Sequence, residues 1–247
     1  MKPAEPGSWI EAAWPAVPGV RAGITTRRGG VSRGPYASFN LATHVGDDGD
    51  AVRENRERLA ALLDLPAPPC WLAQRHGREV AVLPGAAGAE ADAAYTRTPG
   101  AVCAVLVADC IPLLLAAADG TEVAAVHAGW RGLAAGVIEA ALAHFRAPPP
   151  DIRAWIGPHI SADCYPVGED MRAACLGADP GAESAFRPAG PGRWLADLTL
   201  MATLRLERHG VTDIHASGCT FSEPHLYYSH RRDGACGRMA ALIWING

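Results

Sequence analysis

The chain has 247 residues, 49% hydrophobic and 19% charged, which is ordinary for a soluble globular protein and enough for one large domain or two small ones. A formal net charge of −4 gives no electrostatic reason to expect nucleic acid as a partner, and no apolar run reaches the roughly 18 residues that a membrane-spanning helix needs. The stretch from Met1 to Ile10 carries charge and prolines where a signal peptide would be apolar, and seven cysteines without a tight C-x-x-C pair fit reduced thiols in a cytoplasmic protein.

In chain order, residues 20–26 read as a strand that ends in the turn Arg28-Gly29-Gly30. A helix covers 50–63, with Val52, Leu59, Leu62 and Leu63 on one face and Asp48 or Asp50 as its cap. Strands fit 78–83, 102–108 and 122–127. A second helix runs from 132 to 146, where Leu133, Val137, Ile138, Ala141, Leu142 and Phe145 form one stripe at helical period. A strand at 152–157 follows, then a helix at 195–209 stopped by Gly210, then strands at 213–217 and 239–245. The Pro- and Gly-rich stretches 64–70, 84–89, 147–150 and 179–192 are loop-length, and no internal repeat is present. Strands and helices mix without a regular βαβ rhythm. The expected class is α+β with mixed sheets, not a Rossmann-type fold.

Chemistry concentrates in two runs. Ala108-Asp109-Cys110-Ile111-Pro112 ends one apolar strand, and His127-Ala128-Gly129-Trp130-Arg131-Gly132 ends another, with seventeen residues from Cys110 to His127. A thiolate and an imidazole at the ends of adjacent strands are half of a zinc site. His76, in the polar turn Gln74-Arg75-His76-Gly77, is a third candidate. Three protein ligands leave one open position, the arrangement of a catalytic metal and not a structural one. Alternatively, Cys110 is a nucleophile with His127 as its base, although Asp109 beside it opposes thiolate formation. Each residue also has an ordinary reading as a surface or satisfied core group. The Gly-Trp-Arg-Gly turn opens a helix, where backbone N–H groups and Arg131 are candidate anion contacts. Near the C-terminus, Tyr228-Ser229-His230-Arg231-Arg232-Asp233 is a solvated loop or a grip for a phosphate or carboxylate. His159, after Gly157-Pro158, reads as a loop histidine. No H-x-H pair occurs, so several copper centres are hard to build; the P-loop, H-E-x-x-H and G-x-G-x-x-G motifs are absent too.

Taken in order, these motifs resemble the YfiH/laccase-domain family, also labelled purine nucleoside phosphorylase and peptidoglycan editing factor. The resemblance begins at Thr26-Arg27-Arg28-Gly29-Gly30-Val31-Ser32 and Pro35-Tyr36-Ala37-Ser38-Phe39-Asn40-Leu41. It continues through Gln74 to Gly77, Glu90-Ala91-Asp92-Ala93 and the two runs above, and closes at Ser229 to Asp233 and Gly237-Arg238. It implies one domain over 1–247 with four α/β/β/α layers and mixed sheets. It also implies a single zinc, with copper as the alternative, held by His76, Cys110 and His127, which are also the catalytic residues. The implied activity is phosphorolysis of adenosine, inosine and 5′-methylthioadenosine, with adenosine deamination as a side activity. The partners are then a small-molecule nucleoside and phosphate. Asn40, Arg131 and Arg232 are the candidate substrate contacts for ribose or phosphate. The second implied activity is a hydrolase that removes a misincorporated amino acid from nucleotide-linked muramic acid. A zinc-stabilised binding protein without turnover is a third reading. The chain departs from the family pattern at Phe39 and Arg75, both expected near the site, and at Pro166 and Cys236.

Overall fold

The apolar run Val102–Val107 is buried at every position, and its side chains divide by the two-residue period of a strand. Cys103, Val105 and Val107 face one hydrophobic cluster, while Val102, Ala104 and Leu106 face another. Met239–Ile245, its antiparallel partner, divides in the same way. In this computed structural model, which describes residues 7–247, the two strands join Val20–Thr25 and Trp9–Glu11 in a four-stranded antiparallel sheet. Part of the N-terminal stretch discussed above, residues 1–6, lies outside the described residues.

A second sheet has six strands in the order Asp213–Ala216, Ile152–Ile156, Ile111–Ala117, Val123–Ala128, Ala93–Thr96 and Val80–Val82. The pair at each edge is parallel and the inner pairs are antiparallel, so the sheet is mixed. Between the sheets, Ile24, Val105 and Ile243 share a cluster with Leu114, Ala125 and Trp155. The helix Gly49–Leu63 covers the outer face of the first sheet through Leu59 and Leu63. Helices Val137–Leu142, Glu169–Ala178 and Leu198–Arg208 cover the outer face of the second, where Ile138, Met171 and Leu206 share a cluster with Leu113 and Val126. The layers therefore run α/β/β/α, the expected α+β architecture. A small sheet of Phe186–Pro188, Arg193–Ala196 and Pro166–Gly168 is hydrogen-bonded to neither, and packs through Val167, Phe186 and Ala196 into the cluster on the outer face of the second. No helix among the described residues is long and apolar enough to cross a membrane.

The helix expected over 132–146 is two helices. Gly136 has φ 87°, a left-handed conformation open to glycine, and breaks the run into Trp130–Ala135 and Val137–Leu142. The buried stripe nevertheless continues across the break through Leu133, Val137, Ile138 and Ala141. The strand Ile111–Ala117 escapes a reading by pattern because Pro112 argues against a central strand. Asp48, not Asp50, caps the first helix, accepting from the N–H of Asp50 at 2.8 Å. Asp197 does the same for Leu198–Arg208, and Arg193–Ala196 in front of it is a strand, so that helix starts later than expected.

Candidate metal centre

Cys110 stands where the chain crosses between the sheets, after Val102–Val107 of the first and immediately before Ile111–Ala117 of the second. The strand that adjoins the His127 strand is therefore the one that follows Cys110, not the one that precedes it. The register sets Ile111 opposite Ala128 and Pro112 opposite His127, which brings Cys110 beside Gly129. A Cβ on Gly129 would lie 2.9 Å from Cys110 Sγ and 3.0 Å from His76 Cδ2. Glycine is needed here so that thiol and imidazole can close over the backbone.

One ligand atom from each of His76, Cys110 and His127 lies within 4.8 Å of the others, and Cys110 Sγ is 3.8 Å from His76 Nε2. The two imidazole rings meet edge to face at 4.7 Å. An ion with bonds of about 2.0–2.3 Å in tetrahedral geometry holds its ligand atoms about 3.5 Å apart. The three donors thus fit one ion with little closure. Among the described residues this is the single group of three or more His, Cys, Asp or Glu side chains able to hold a metal, which is a centre for one ion.

Asp92 organises two of the three ligands. It is 1% exposed. Its Oδ1 accepts from His127 Nδ1 at 2.7 Å and from the His76 N–H at 2.9 Å. Its Oδ2 accepts from the N–H of Gly77 at 2.7 Å and of Arg75 at 3.0 Å. The bond to Nδ1 leaves His127 Nε2 as the ligand atom, the outer-shell arrangement that fixes a metal-binding imidazole. Burial pushes the Asp92 carboxyl up, but His127 and the N–H groups outweigh it and draw the pKa down to about 2. Burial also opposes charge on Cys110, yet His127 and His76 pull the thiol below its ordinary value, toward the thiolate that ligates metals. His127 is held above its ordinary value despite burial, by Cys110 and Asp92.

The backbone around the site is unusual. His76 at φ 60° and Asp109 at φ 91° are two of three non-glycine residues with positive φ among the described residues, conformations that persist where surroundings enforce them. For Asp109 the enforcement is visible. Its Oδ1 accepts from Thr220 Oγ1 at 2.6 Å and its Oδ2 from the Arg231 N–H at 2.7 Å. Asp109 is therefore a cross-link from the Cys110 turn to the C-terminal loop.

The donors open into a cavity of about 370 Å³ whose walls include His44, Tyr165, Arg131, Arg231 and Arg238. Arg131 stands on this wall, exposed, with its guanidinium 4.3 Å from the Trp130 ring centre and no ion pair to Asp109 or Asp92. The helix it belongs to starts at Trp130 and has six residues, under two turns, so its summed dipole is small.

Two other expected contacts are placed elsewhere. Asn40 is fully buried, and its amide bonds to Ala42, Asp47 Oδ2 and the Arg238 N–H instead of facing the cavity. Arg232 donates to the carbonyls of Thr220, Phe221 and Tyr227 and to Asp233, which uses its guanidinium to hold the loop. Phe39 is core, and Arg75 pairs with Glu90 at the surface, so neither departure alters the cavity wall. His159 is a satisfied buried histidine, bonded to Gly157 O and Thr199 Oγ1.

The sequence reading missed Asp92 as an organiser, Gly129 as a clearance, and Arg238 and His44 on the wall. One signal was available for Asp92: an acid set among alanines at 91, 93 and 94 is a buried carboxylate that needs partners.

The family described as multi-copper polyphenol oxidoreductase laccase matches residues 21–246. The chain is 47% identical over 239 residues to a protein of Escherichia coli named purine nucleoside phosphorylase YfiH, covering 96% of this chain and 98% of that one. A purine nucleoside phosphorylase of Haemophilus influenzae is 44% identical over 240 residues, with the same coverage. Among solved structures, Neisseria meningitidis protein NMB0706 superposes with a TM-score of 0.93 at 45% identity, covering 97% of this chain and 100% of that one. YlmD of Geobacillus stearothermophilus does so with a TM-score of 0.89 at 33% identity, covering 98% of each. With its fold and nearly its whole length matched, this chain belongs to the YfiH/laccase-domain family.

Proposed function

We propose that this protein is a zinc-dependent purine nucleoside phosphorylase acting on adenosine, inosine and 5′-methylthioadenosine, with adenosine deamination as a side activity. The observation that carries the reading is the His76–Cys110–His127 donor set on a cavity walled by cations, in a chain whose relatives bear the phosphorylase name. A thiolate and two imidazoles with a free fourth position suit tetrahedral zinc and ask for no redox chemistry, which favours zinc over copper.

When bound, the metal supplies Lewis acidity at that open position. In phosphorolysis a phosphate oxygen forms a bond to the ribose anomeric carbon as the N-glycosidic bond breaks, and the base leaves with the bonding electrons and takes up a proton. The chain's own residues serve this reaction by placement. Asp92 holds His127 and the His76 loop in register. Arg131, free of any acid, is placed to contact the nucleoside or the anion. A cytoplasmic location belongs to the same reading and accords with seven unpaired cysteines.

Product analysis with adenosine, with and without phosphate, tests the proposal. Free base should appear only when phosphate is present. Equal release without phosphate would identify a hydrolase. No release, with turnover of a nucleotide-linked muramyl-serine, would point to the cell-wall precursor activity.

A further inference from the structure

Arg231 and Arg238 share a construction that sets them apart from the other arginines discussed above. Each has its backbone N–H tied to a buried polar side chain. The Arg231 N–H donates to Asp109 Oδ2 at 2.7 Å, and the Arg238 N–H donates to Asn40 Oδ1 at 2.9 Å. Each guanidinium is then pinned by Nη1 alone. Arg231 Nη1 donates to Pro166 O at 2.7 Å, and its guanidinium lies 4.7 Å from the Tyr165 ring centre. Arg238 Nη1 donates to Cys236 O at 2.8 Å and Gly237 O at 3.0 Å. Neither has a carboxylate partner, and Nε and Nη2 of both carry no bond to the protein. Arg232, between them in sequence, is the contrast, with all three guanidinium nitrogens occupied.

Both side chains line the cavity that holds the metal ligands. Its one carboxylate, Asp109, is already bonded through both oxygens to Thr220 and Arg231. His44, on the same wall, is held below its ordinary pKa by burial and then by the charges of Arg238 and Arg56. Two guanidinium groups with free, preoriented N–H donors and no carboxylate bonded to either make a site for a doubly charged oxyanion.

We propose that Arg231 and Arg238 form the subsite for a phosphate-sized dianion beside the metal centre. Asp109 and Asn40 act as the posts that fix the two arms. The phosphorolysis reading supplies the identity of that anion as orthophosphate; the same donors would take a phosphate group carried by the substrate. Of the two departures from the family pattern that meet these arms, Pro166 contributes only its backbone carbonyl, while Cys236 adds its Sγ, at 3.5 Å, to its carbonyl as an acceptor for Arg238 Nη1.

Calorimetric titration of the zinc-loaded protein with inorganic phosphate, and separately with adenosine 5′-monophosphate, tests the subsite. Arg231→Gln and Arg238→Gln should each raise the phosphate Kd by about 10- to 100-fold, the effect of one lost charge-assisted bond. Arg97→Gln, in a cavity at the opposite end of the second sheet, should leave it unchanged. Should a Gln variant fail to melt cooperatively, Arg231→Lys and Arg238→Lys repeat the test, and they should bind phosphate more weakly than wild type. A phosphate Kd unchanged in folded, metal-loaded variants would overturn the subsite while leaving phosphorolysis standing. Monophosphate binding that the variants lose, with no binding of free phosphate by wild type, would support the subsite and count against phosphorolysis.

Discussion

Asp92→Asn is the substitution that probes the organisation of the metal centre most sharply. The carboxylate accepts four hydrogen bonds, two on each oxygen. An amide keeps one of those oxygens and turns an NH2 group toward the donors of the other. Whichever way the amide lies, two donors face a donor: either His127 Nδ1 with the His76 N–H, or the two N–H groups of Arg75 and Gly77. An unsatisfied buried donor costs about 1–3 kcal/mol, so the total is about 2–6 kcal/mol. Part falls on the fold, where about 1 kcal/mol shifts Tm by about 2–4 °C in a chain of this size. Part falls on the ligands, because Asp92 steers His127 directly and His76 through its loop. Losing such an outer-shell partner weakens metal binding by about 10- to 100-fold. Chelator competition gives the zinc Kd, and melting of the metal-free protein gives the fold contribution separately. A zinc Kd equal to wild type in a folded Asp92→Asn protein would refute the role assigned to Asp92.

Gly129→Ala should reduce zinc affinity more than it lowers the Tm of the metal-free protein, because the new Cβ would stand 2.9 Å from Cys110 Sγ and 3.0 Å from His76 Cδ2; an unchanged zinc Kd would show that the ligands move aside freely. Arg131→Ala should raise the KM for nucleoside or phosphate by roughly 10- to 150-fold, the equivalent of about 1.5–3 kcal/mol, and leave Tm alone, since Arg131 has no acid partner. A lowered Tm with unchanged KM would make it structural. Asp179 gives the acid response of the fold. Arg208 first, with the Gly181 N–H and Arg205, holds its carboxyl below the ordinary 3.8 despite burial. A depressed folded pKa means that this stabilisation is complete above 3.8 and is lost as pH falls through the folded value. Asp179→Asn should therefore flatten the fall of Tm below pH 3.8, and an unaltered acid slope would assign that fall to other carboxylates.

The sequence carried the elements whose apolar period is regular. Gly49–Leu63, Val102–Val107 and Met239–Ile245 fall within a residue or so of their expected bounds. What hid the rest was local chemistry. Gly136 divides a continuous apolar stripe by its left-handed backbone, and Pro112 masks a strand buried at every position. The helix Glu169–Ala178 buries only Met171 and Cys175, too few to show a period. At the site, residue type made the three donors candidates, each with an ordinary reading beside it, and the resemblance to the family singled them out as a set. The division of labour among arginines was not legible. Arg231 and Arg232 are neighbours of identical type, and only the carbonyls around them decide that one holds the loop while the other keeps free donors in the cavity. Asn40 is the same lesson, since a polar residue in a family motif faces inward to fix the Arg238 backbone.

The central claim is that a metal held by His76, Cys110 and His127 supports phosphorolysis. Phosphorus NMR of adenosine and phosphate with protein stripped of metal, and then reloaded with zinc, tests it directly, with elemental analysis of each sample. Ribose 1-phosphate should form with the reloaded protein at about one zinc per chain, the stoichiometry of a single three-ligand site, and cease in the stripped protein and in Cys110→Ala. Ribose 1-phosphate formed at the same rate by stripped protein, or by a Cys110→Ala protein free of zinc, would contradict the account.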